Sequence, residues 1–254
     1  MPSVKRIAAI GAWIPCVIVL SLLAGGEDRP AGYASPFAAT PTFTRPLAFD
    51  HPYFPFEPGA MNVFQGTEDD EPMTIVERHL PDVRVFEWNG QEVSCAIVEE
   101  TEFEAGSLSQ ISYNFYAQAD DGSIWFFGEF AEEFEDGELV SRSGSWLVGG
   151  PGPDDPQDTV EGDAPALHLT AHPATGETWI QENIPEEEIF ERRTVLAKGR
   201  VVRVPADEFE DCAQIQEEGL DEVEVKWYAP GIGVIAVDSE SEKLKLVATS
   251  IRRR

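Results

Sequence analysis

The stretch NFYAQADDGSIWFFGEF, residues 114–130, decides the fold. Two runs of apolar and aromatic residues flank a central Asp-Gly pair, which tolerates the positive φ angles of a tight hairpin and so predicts two antiparallel strands. On the second strand, simple alternation places Trp125, Phe127 and Glu129 on one face. A carboxylate in line with two large aromatics is typical of a ligand cavity with a polar anchor, or of a core face that ends in solvent.

Hairpin signals recur on both sides of this stretch. The pairs Asn89-Gly90, Ala105-Gly106 and Asp136-Gly137 separate runs in which apolar and polar residues alternate. Strand-like runs resume after residue 165, and no long 3.6-residue period or fixed repeat appears. We therefore expect an all-β domain, an antiparallel meander of roughly ten to twelve strands that forms a barrel-like or strongly curved, lipocalin-like sheet.

The N-terminus has the pattern of an export signal, with Lys5 and Arg6 before an apolar run from Ile7 to Ala24. We expect residues 1–34 to be signal and leader, and residues 35–50 to be a linker rich in Pro, Ala and Thr. Residues 51–254 then form a single all-β domain with an acidic Gly/Pro loop at 149–165. This organisation predicts a secreted or cell-envelope protein, periplasmic or extracellular, although a retained N-terminal anchor is the alternative.

The chain is strongly acidic, with a formal net charge of −29. This charge excludes nucleic acid and anionic membrane surfaces as partners, because both require a basic patch. No membrane contact is expected beyond the N-terminal signal or anchor. An acidic surface keeps a secreted protein soluble, and it also leaves cation binding open. The sequence does not indicate an oligomeric state.

Two cysteines, Cys95 and Cys212, remain once the signal is removed. In an exported domain this pair predicts one disulfide, with two buried free thiols as the competing interpretation.

Metal binding has weak support in the sequence. His168 and His172 are four residues apart, which on a strand separates them by about 13 Å, too far to share one ion. We expect partly exposed strand histidines, no metal site and no cofactor. Adventitious calcium binding by the acidic clusters at 67–71 and 132–138 stays open.

Catalysis has no clear motif. The chain lacks a G-x-S-x-G nucleophile elbow. Glu129, Glu182 and Glu87 lie beside aromatic residues, a setting that raises the pKa of a carboxyl group and suits a general acid. An enzyme, a hydrolase or isomerase that uses a Glu/His acid-base pair, is therefore one alternative function, and an acidic cation-binding protein is another.

Aromatic residues cluster in the central strands. They either fill the core or line a cavity that contains a few polar groups. On the second interpretation, the protein is a non-enzymatic, exported acidic β-barrel that binds a small apolar or aromatic molecule. The residues expected to line that site are Tyr116, Trp125, Phe127, Glu129, Trp146, Trp179 and Gln181.

A set of short motifs resembles a widespread group of bacterial exported proteins. The motifs are HPYFPFEPGAMNVFQG (51–66), YAQADDGSIWFFGE (116–129), GSW (144–146), GETWIQE (176–182), VPADEFEDC (204–212) and YAPGIGVI (228–235). The resemblance covers nearly all of residues 51–251 and implies an all-β, lipocalin-like or barrel-like domain. It carries over no catalytic residues. The segment between Trp146 and His168 departs from the group by being more acidic.

Overall fold

The computed structural model describes residues 40–220 and 222–252, and most of those residues lie in strands. One 3₁₀ turn, Pro185–Glu187, also occurs among them. No helix among the described residues has the length and apolarity needed to span a membrane. The strands are β1 (Met61–Glu68), β2 (Glu71–Trp88), β3 (Gln91–Glu104), β4 (Ser107–Gln118), β5 (Ile124–Glu135), β6 (Glu138–Ser141), β7 (Trp146–Val148), β8 (Val160–Gly162), β9 (Ala166–Leu169), β10 (Thr178–Ile184), β11 (Ile189–Arg203), β12 (Glu208–Glu218), β13 (Val223–Ala229), β14 (Gly233–Asp238) and β15 (Glu242–Thr249).

The strands form one mostly antiparallel sheet that curls into a nearly closed barrel. Its order is β10-β11-β12-β13-β14-β15-β1-β2-β3-β4-β5-β7-β8, with β6 and β9 also paired to β5. The two ends of the sheet approach each other where β9 pairs with β5 and lies beside β10. At this seam the Trp179 indole donates a hydrogen bond of 2.9 Å to the carbonyl of Leu167. The predicted all-β, barrel-like fold is confirmed.

The predicted hairpins lie at the expected turns. Asn89-Gly90, Ala105-Gly106 and Asp136-Gly137 all have positive φ at both residues, as two-residue hairpin loops require. The structure nevertheless contains fifteen described strands rather than ten to twelve, because several strands between residues 138 and 169 are only three or four residues long. One pair, β7 with β8, is parallel and was not predicted.

A β-bulge in β5 changes which side chains share a face. Asn114 lies opposite Glu129 and Tyr116 lies opposite Phe126, so two residues of β5, Phe127 and Gly128, oppose one residue of β4. Glu129 therefore shares a face with Phe126 and Tyr116 rather than with Phe127. The simple alternation that placed Trp125, Phe127 and Glu129 together is wrong at this bulge.

The opposite face of β2–β5 carries an apolar cluster of its own. Phe127 packs against Phe43 and Phe86, with ring centroids 5.5 Å and 5.3 Å apart. Phe43 is buried, and Thr42 and Thr44 are hydrogen-bonded to Asp120. Residues 40–50 are therefore part of the fold and not a linker. The predicted signal, the leader and residues 35–39 lie outside the described residues.

The acidic loop at 149–165 is pinned to that same face. Asp155 receives a bidentate ion pair from Arg84, whose guanidinium lies about 5 Å from the ring centres of Phe86, Phe115 and Phe130. Within the loop, β8 adds a short strand to the sheet. The loop is therefore an ordered cover for an aromatic surface.

The predicted disulfide between Cys95 and Cys212 is wrong, since both are free, buried thiols. Cys95 packs in an apolar cluster with Phe86 and Val93, whereas Cys212 belongs to a second cluster with Phe209. Their strands, β3 and β12, are separated by five others in the sheet order. A disulfide requires Cα atoms within about 7 Å, so the competing interpretation of two buried thiols is the one the structure supports.

The bulge predicts that the stability of the fold is sensitive to substitution of Gly128. Its φ is +108°, and an added Cβ would lie 2.1 Å from the carbonyl oxygen of Trp146. We expect Gly128→Ala to lower the free energy of unfolding by roughly 3 kcal/mol or more, because backbone strain and a backbone clash add together. Gly137→Ala is the matched control: its φ is +79°, but no atom lies within 4 Å of the added Cβ. We therefore expect this substitution to lower the free energy of unfolding by only about 1 kcal/mol. Urea unfolding measures both, and equal losses would contradict the clash.

Candidate functional site

The inward face of the barrel carries a buried acidic cluster. Nine glutamates and two cations in the described chain are less than one-tenth exposed, and they come from eight strands around the barrel. The members of this buried acidic cluster are Glu68, Glu100, Glu102, Glu129, Glu182, Glu191, Glu217, Glu224 and Glu242, together with Arg193 and Lys226. Acidic residues at this depth are rare unless they are paired, so the cluster is the most unusual feature of the molecule.

Arg193 is the centre of the paired part of the cluster. Its Nε lies 2.8 Å from Glu191 Oε1, and its Nη2 lies 3.0 Å from Glu217 Oε1. Its Nη1 donates to the carbonyl of His168 at 3.0 Å. Lys226 forms an ion pair with the other oxygen of Glu217. These contacts join the neighbouring strands β11, β12 and β13, and the bond to the His168 carbonyl ties them to β9.

A second bulge aims Glu182 into the lumen. Ile180 lies opposite Arg192 and Glu182 opposite Glu191, so Gln181 is the extra residue on β10. The Glu182 carboxylate accepts hydrogen bonds of 2.9 Å from the Trp146 indole and from the Gln181 amide, one at each oxygen. Glu182 is therefore held in place by two neutral donors.

Glu129 is equally buried but has no such partners. It is 1% exposed, and neither carboxylate oxygen meets a hydrogen-bond donor in the described residues. It pairs across the sheet with Trp146. Three rings lie on its side of the sheet and form an aromatic group: Tyr116 and Phe126, with centroids 5.0 Å apart, and Trp146, 5.5 Å from Phe126.

Residues 51–57 close one end of the barrel. The Phe54 ring packs on the rings of Tyr116 and His168, with centroids 4.8 Å and 5.3 Å away, and those two rings also contact each other at 4.9 Å. Beneath it lies a small cavity of about 40 Å³ whose wall includes Glu100 and Tyr228. Such a space accommodates a few waters, whereas ligand pockets usually have several hundred Å³. A larger guest at this cavity would require side chains of its wall, Phe54 among them, to move.

Histidines hold this closing segment in place. His51 Nδ1 accepts the Tyr53 amide hydrogen at 3.2 Å, and its Nε2 lies 3.1 Å from the carbonyl of Thr170. His79 Nδ1 accepts the Glu57 amide hydrogen at 3.1 Å, while its ring stacks on Phe56 at 4.8 Å. Burial lowers the pKa of His51 to about 4. The neutral ring is the form that can accept the amide hydrogen bond.

His168 lies in the lumen, while His172 is exposed, so the expectation of two partly exposed histidines is wrong for His168. The Arg193 guanidinium lies 3.2 Å from His168 Nδ1, which must accept, so the ring proton is on Nε2. Burial, then Arg193, lowers the pKa of His168 well below its usual value. Within residues 40–220 and 222–252, no three His, Cys, Asp or Glu side chains are placed so that together they could hold a metal ion.

The structure brings together most of the residues that the sequence predicted for a ligand site. Tyr116, Glu129, Trp146 and Trp179 face the lumen, and Gln181 contacts Glu182. Trp125 and Phe127 lie on the opposite face of the sheet. Glu87 is exposed.

Sequence reasoning missed Glu191, Arg193, Lys226 and Glu100, which form much of the lumen. A signal for two of them was present, because Ile189, Glu191, Arg193 and Val195 alternate along β11. Charged residues in phase with buried apolar ones indicate a polar stripe inside a barrel. Phe54 was also missed, since it is in a segment without regular structure.

Burial raises the pKa of most of the lumen carboxyls. The pKa of Glu129 rises well above its usual value because of burial first, and then because of Glu182, Glu100 and Glu191. Burial, then the charge of Glu191, raises the pKa of Glu182 to about 8. Like charges in one dry space cannot all ionise, so the cluster holds protons at neutral pH.

The fold thus defines a class of protein, a nearly closed and mostly antiparallel β-barrel with buried glutamates on its inward face and aromatic rings at one end. Comparison of the chain with family models, with curated proteins and with solved structures finds no match. The motif resemblance to exported bacterial proteins therefore stays a prediction.

The buried carboxyls predict that stability falls as pH rises. Between about pH 5 and 8 the unfolded chain has ionised glutamates, while the folded chain keeps protons on those with raised pKa. Each such group lowers the free energy of unfolding by about 1.4 kcal/mol per pH unit in its window. His51 and His168 have the opposite effect, because below pH about 6.5 these rings bind protons in the unfolded chain and not in the folded one. Below that pH they make stability rise with pH, and above it they have no effect. Urea unfolding at several pH values measures the slope.

Glu129→Gln isolates one of these groups. An amide cannot ionise, so we expect the substitution to stabilise the protein at pH 8 by roughly 1–3 kcal/mol and to flatten the slope by up to one proton. Glu92→Gln, at an exposed position on β3, is the control and should change neither quantity. A stability that stays constant or rises from pH 6.5 to 8 in the wild type would overturn the interpretation.

Proposed function

We propose that the protein is an exported, non-enzymatic binding module whose barrel takes up a small molecule with a planar ring. The observation that carries the proposal is the position of Phe54. Its half-buried ring packs on the adjoining rings of Tyr116 and His168 and forms part of the wall of a small cavity that Glu100 and Tyr228 also line. The mouth of the barrel is thus shaped for an aromatic ring, and the segment itself fills the place that a guest would take.

The chemistry of the lumen refines the ligand that the sequence suggested. Below the aromatic mouth, the cavity wall carries the carboxyl of Glu100 and the hydroxyl groups of Tyr116 and Tyr228. The Tyr228 hydroxyl already donates to Glu217 at 3.2 Å, and a polar substituent on the guest would join such contacts, whereas a purely apolar molecule would not. We therefore propose a ring that bears a polar substituent directed into the barrel.

The acid-base enzyme alternative has less support. The nitrogen of His168 that would accept a proton already faces Arg193, and the strongest electrostatic influences on Glu129 are other glutamates. A general base needs a free acceptor within hydrogen-bond reach of the substrate.

A matched pair of ring-bearing probes, benzyl alcohol and benzylamine, tests this function. We expect at least one to bind the wild-type protein with 1:1 stoichiometry in isothermal titration. Phe54→Ala should tighten that binding about tenfold or more, because the ring that competes with the guest is gone. Phe130→Ala is the control: Phe130 is also half-buried, but it packs on Phe115 on the opposite face of the sheet.

Two results would count against the function. Absence of binding by both probes, to the wild type and to Phe54→Ala alike, would remove the lumen as a ligand site. An equal gain in affinity from Phe130→Ala would show that loosening of the fold, and not vacancy of the mouth, admits the probe. Thermal melting of each variant establishes that it is folded before titration.

A further inference from the structure

The sheet separates into two hairpins at one end of the barrel. The turns are Ala105-Gly106 between β3 and β4 and Asp136-Gly137 between β5 and β6, but β4 and β5 pair with each other only from Gln110 and Glu133 onward. Beyond that pair the two hairpins are no longer joined, and a cleft of about 380 Å³ lies between them. A volume of this size falls within the range of sites for small molecules.

The wall of this cleft is acidic and partly apolar. It carries the carboxyl groups of Glu104, Glu135 and Asp136 together with the side chains of Leu108 and Phe134. Glu135 and Asp136 are exposed, so their carboxyl groups face solvent and not the core. The wall residues of the described chain include no lysine or arginine. A cation is therefore the kind of ligand that the wall favours.

A buried hydroxyl without a partner lies on the same wall. Ser109 is the extra residue of a β-bulge, since Glu102 lies opposite Gln110 and Phe103 lies opposite Leu108, and it comes directly before the first residue of β4 that pairs with β5. Ser109 is 5% exposed and lines the cleft, and its hydroxyl has no hydrogen-bond partner among the described residues. A buried polar group without a partner lowers stability, so its presence calls for an explanation, and a ligand in the cleft supplies one.

An organic cation fits this cleft better than a metal ion. Among the described residues, no three His, Cys, Asp or Glu side chains are placed so that they could share a metal ion. Leu108 and Phe134 offer a metal no ligand atoms, whereas both can pack against the methylene groups of an alkylamine. An ammonium group also donates up to three hydrogen bonds, which carboxylates and a hydroxyl can accept.

We propose that the cleft is a binding site for a linear aliphatic polyamine. One nitrogen donates a hydrogen bond to the hydroxyl of Ser109, the methylene chain lies against the two apolar side chains of the wall, and an outer ammonium group pairs with Glu135 and Asp136. Glu104 adds negative charge from the other hairpin. This site is separate from the ring-binding site of the proposed function and does not depend on it.

Spermidine and butylamine test this site, because both are aliphatic amines but they differ in the number of nitrogens. In roughly 0.15 M salt, which screens the attraction of distant surface charges, we expect isothermal titration to show one spermidine bound per protein chain. Spermidine should bind at least about tenfold more tightly than butylamine, because only the polyamine can reach the hydroxyl and the outer carboxyls at once.

Ser109→Ala removes the hydroxyl without changing the charge of the protein. Because that hydroxyl has no partner among the described residues, we expect thermal melting to be unchanged while spermidine affinity falls about fivefold to tenfold. The double substitution Glu135→Gln and Asp136→Asn should weaken spermidine binding at least about tenfold. Glu240→Gln is the matched control, because Glu240 is an exposed carboxyl on the turn between β14 and β15, at the same end of the barrel, and its loss should leave the affinity unchanged.

Several outcomes would overturn the inference. If Glu240→Gln weakened spermidine binding as much as the cleft variants do, the polyamine would be bound by the acidic surface as a whole. An unchanged affinity in Ser109→Ala would place the ligand outside the cleft. Absence of spermidine binding, or 1:1 binding of calcium chloride in its place, would also contradict the assignment. None of these results bears on the ring-binding function, because β4 begins at the cleft and ends at Gln118 beside Asp50, about 35 Å away.

Discussion

Burial of excess negative charge is the constraint on which the rest of this structure depends. A barrel of this kind usually fills its interior with apolar side chains or opens it to a ligand. Here nine buried glutamates share the interior with Arg193 and Lys226. Arg193 pairs with Glu191 on its own strand and with Glu217 on the neighbouring strand β12, and its hydrogen bond to the His168 carbonyl reaches β9. Because breaking a buried pair costs about 3–5 kcal/mol, this network fixes the inner surface in one arrangement.

Two bulges make that inner surface possible. In Phe126–Glu129 and in Trp179–Glu182, an aromatic residue and a glutamate three positions later face the same side, because each strand contains one extra residue. Without the bulges, alternation would turn one member of each pair toward the opposite face. Trp146 joins the two sites, since it pairs with Glu129 and donates its indole hydrogen to Glu182. The motifs F-F-G-E and W-I-Q-E therefore encode the same local geometry.

The sequence predicts the parts of the fold that local chemistry decides. The hairpin turns and the long strands β2 to β5 follow from positive-φ dipeptides and from alternation. The bulge at Gly128 could be suspected from a glycine within a strand, but its register depends on the close approach of Trp146. The thiols of Cys95 and Cys212 differ in their packing partners, which only the three-dimensional order of strands decides. The contacts of Arg193 with several strands could not be predicted for the same reason, since they too depend on the order of strands in the barrel.

Burial of so many charged groups lowers the stability of the barrel, which argues that these groups have a function. Well-packed apolar residues of similar size would stabilise a barrel as well as or better than buried ion pairs, and unpaired carboxyls such as Glu129 destabilise it further as pH rises. Solubility does not explain them either, because the surface is already strongly acidic without the lumen. The aromatic plug adds to this reasoning: Phe54 belongs to residues 51–57, which form no strand and are held by individual contacts such as the Tyr53 and Glu57 amide hydrogen bonds to histidine rings. This end of the barrel lacks the ladder of backbone hydrogen bonds that holds its wall, so it is where a guest would enter with the fewest bonds broken.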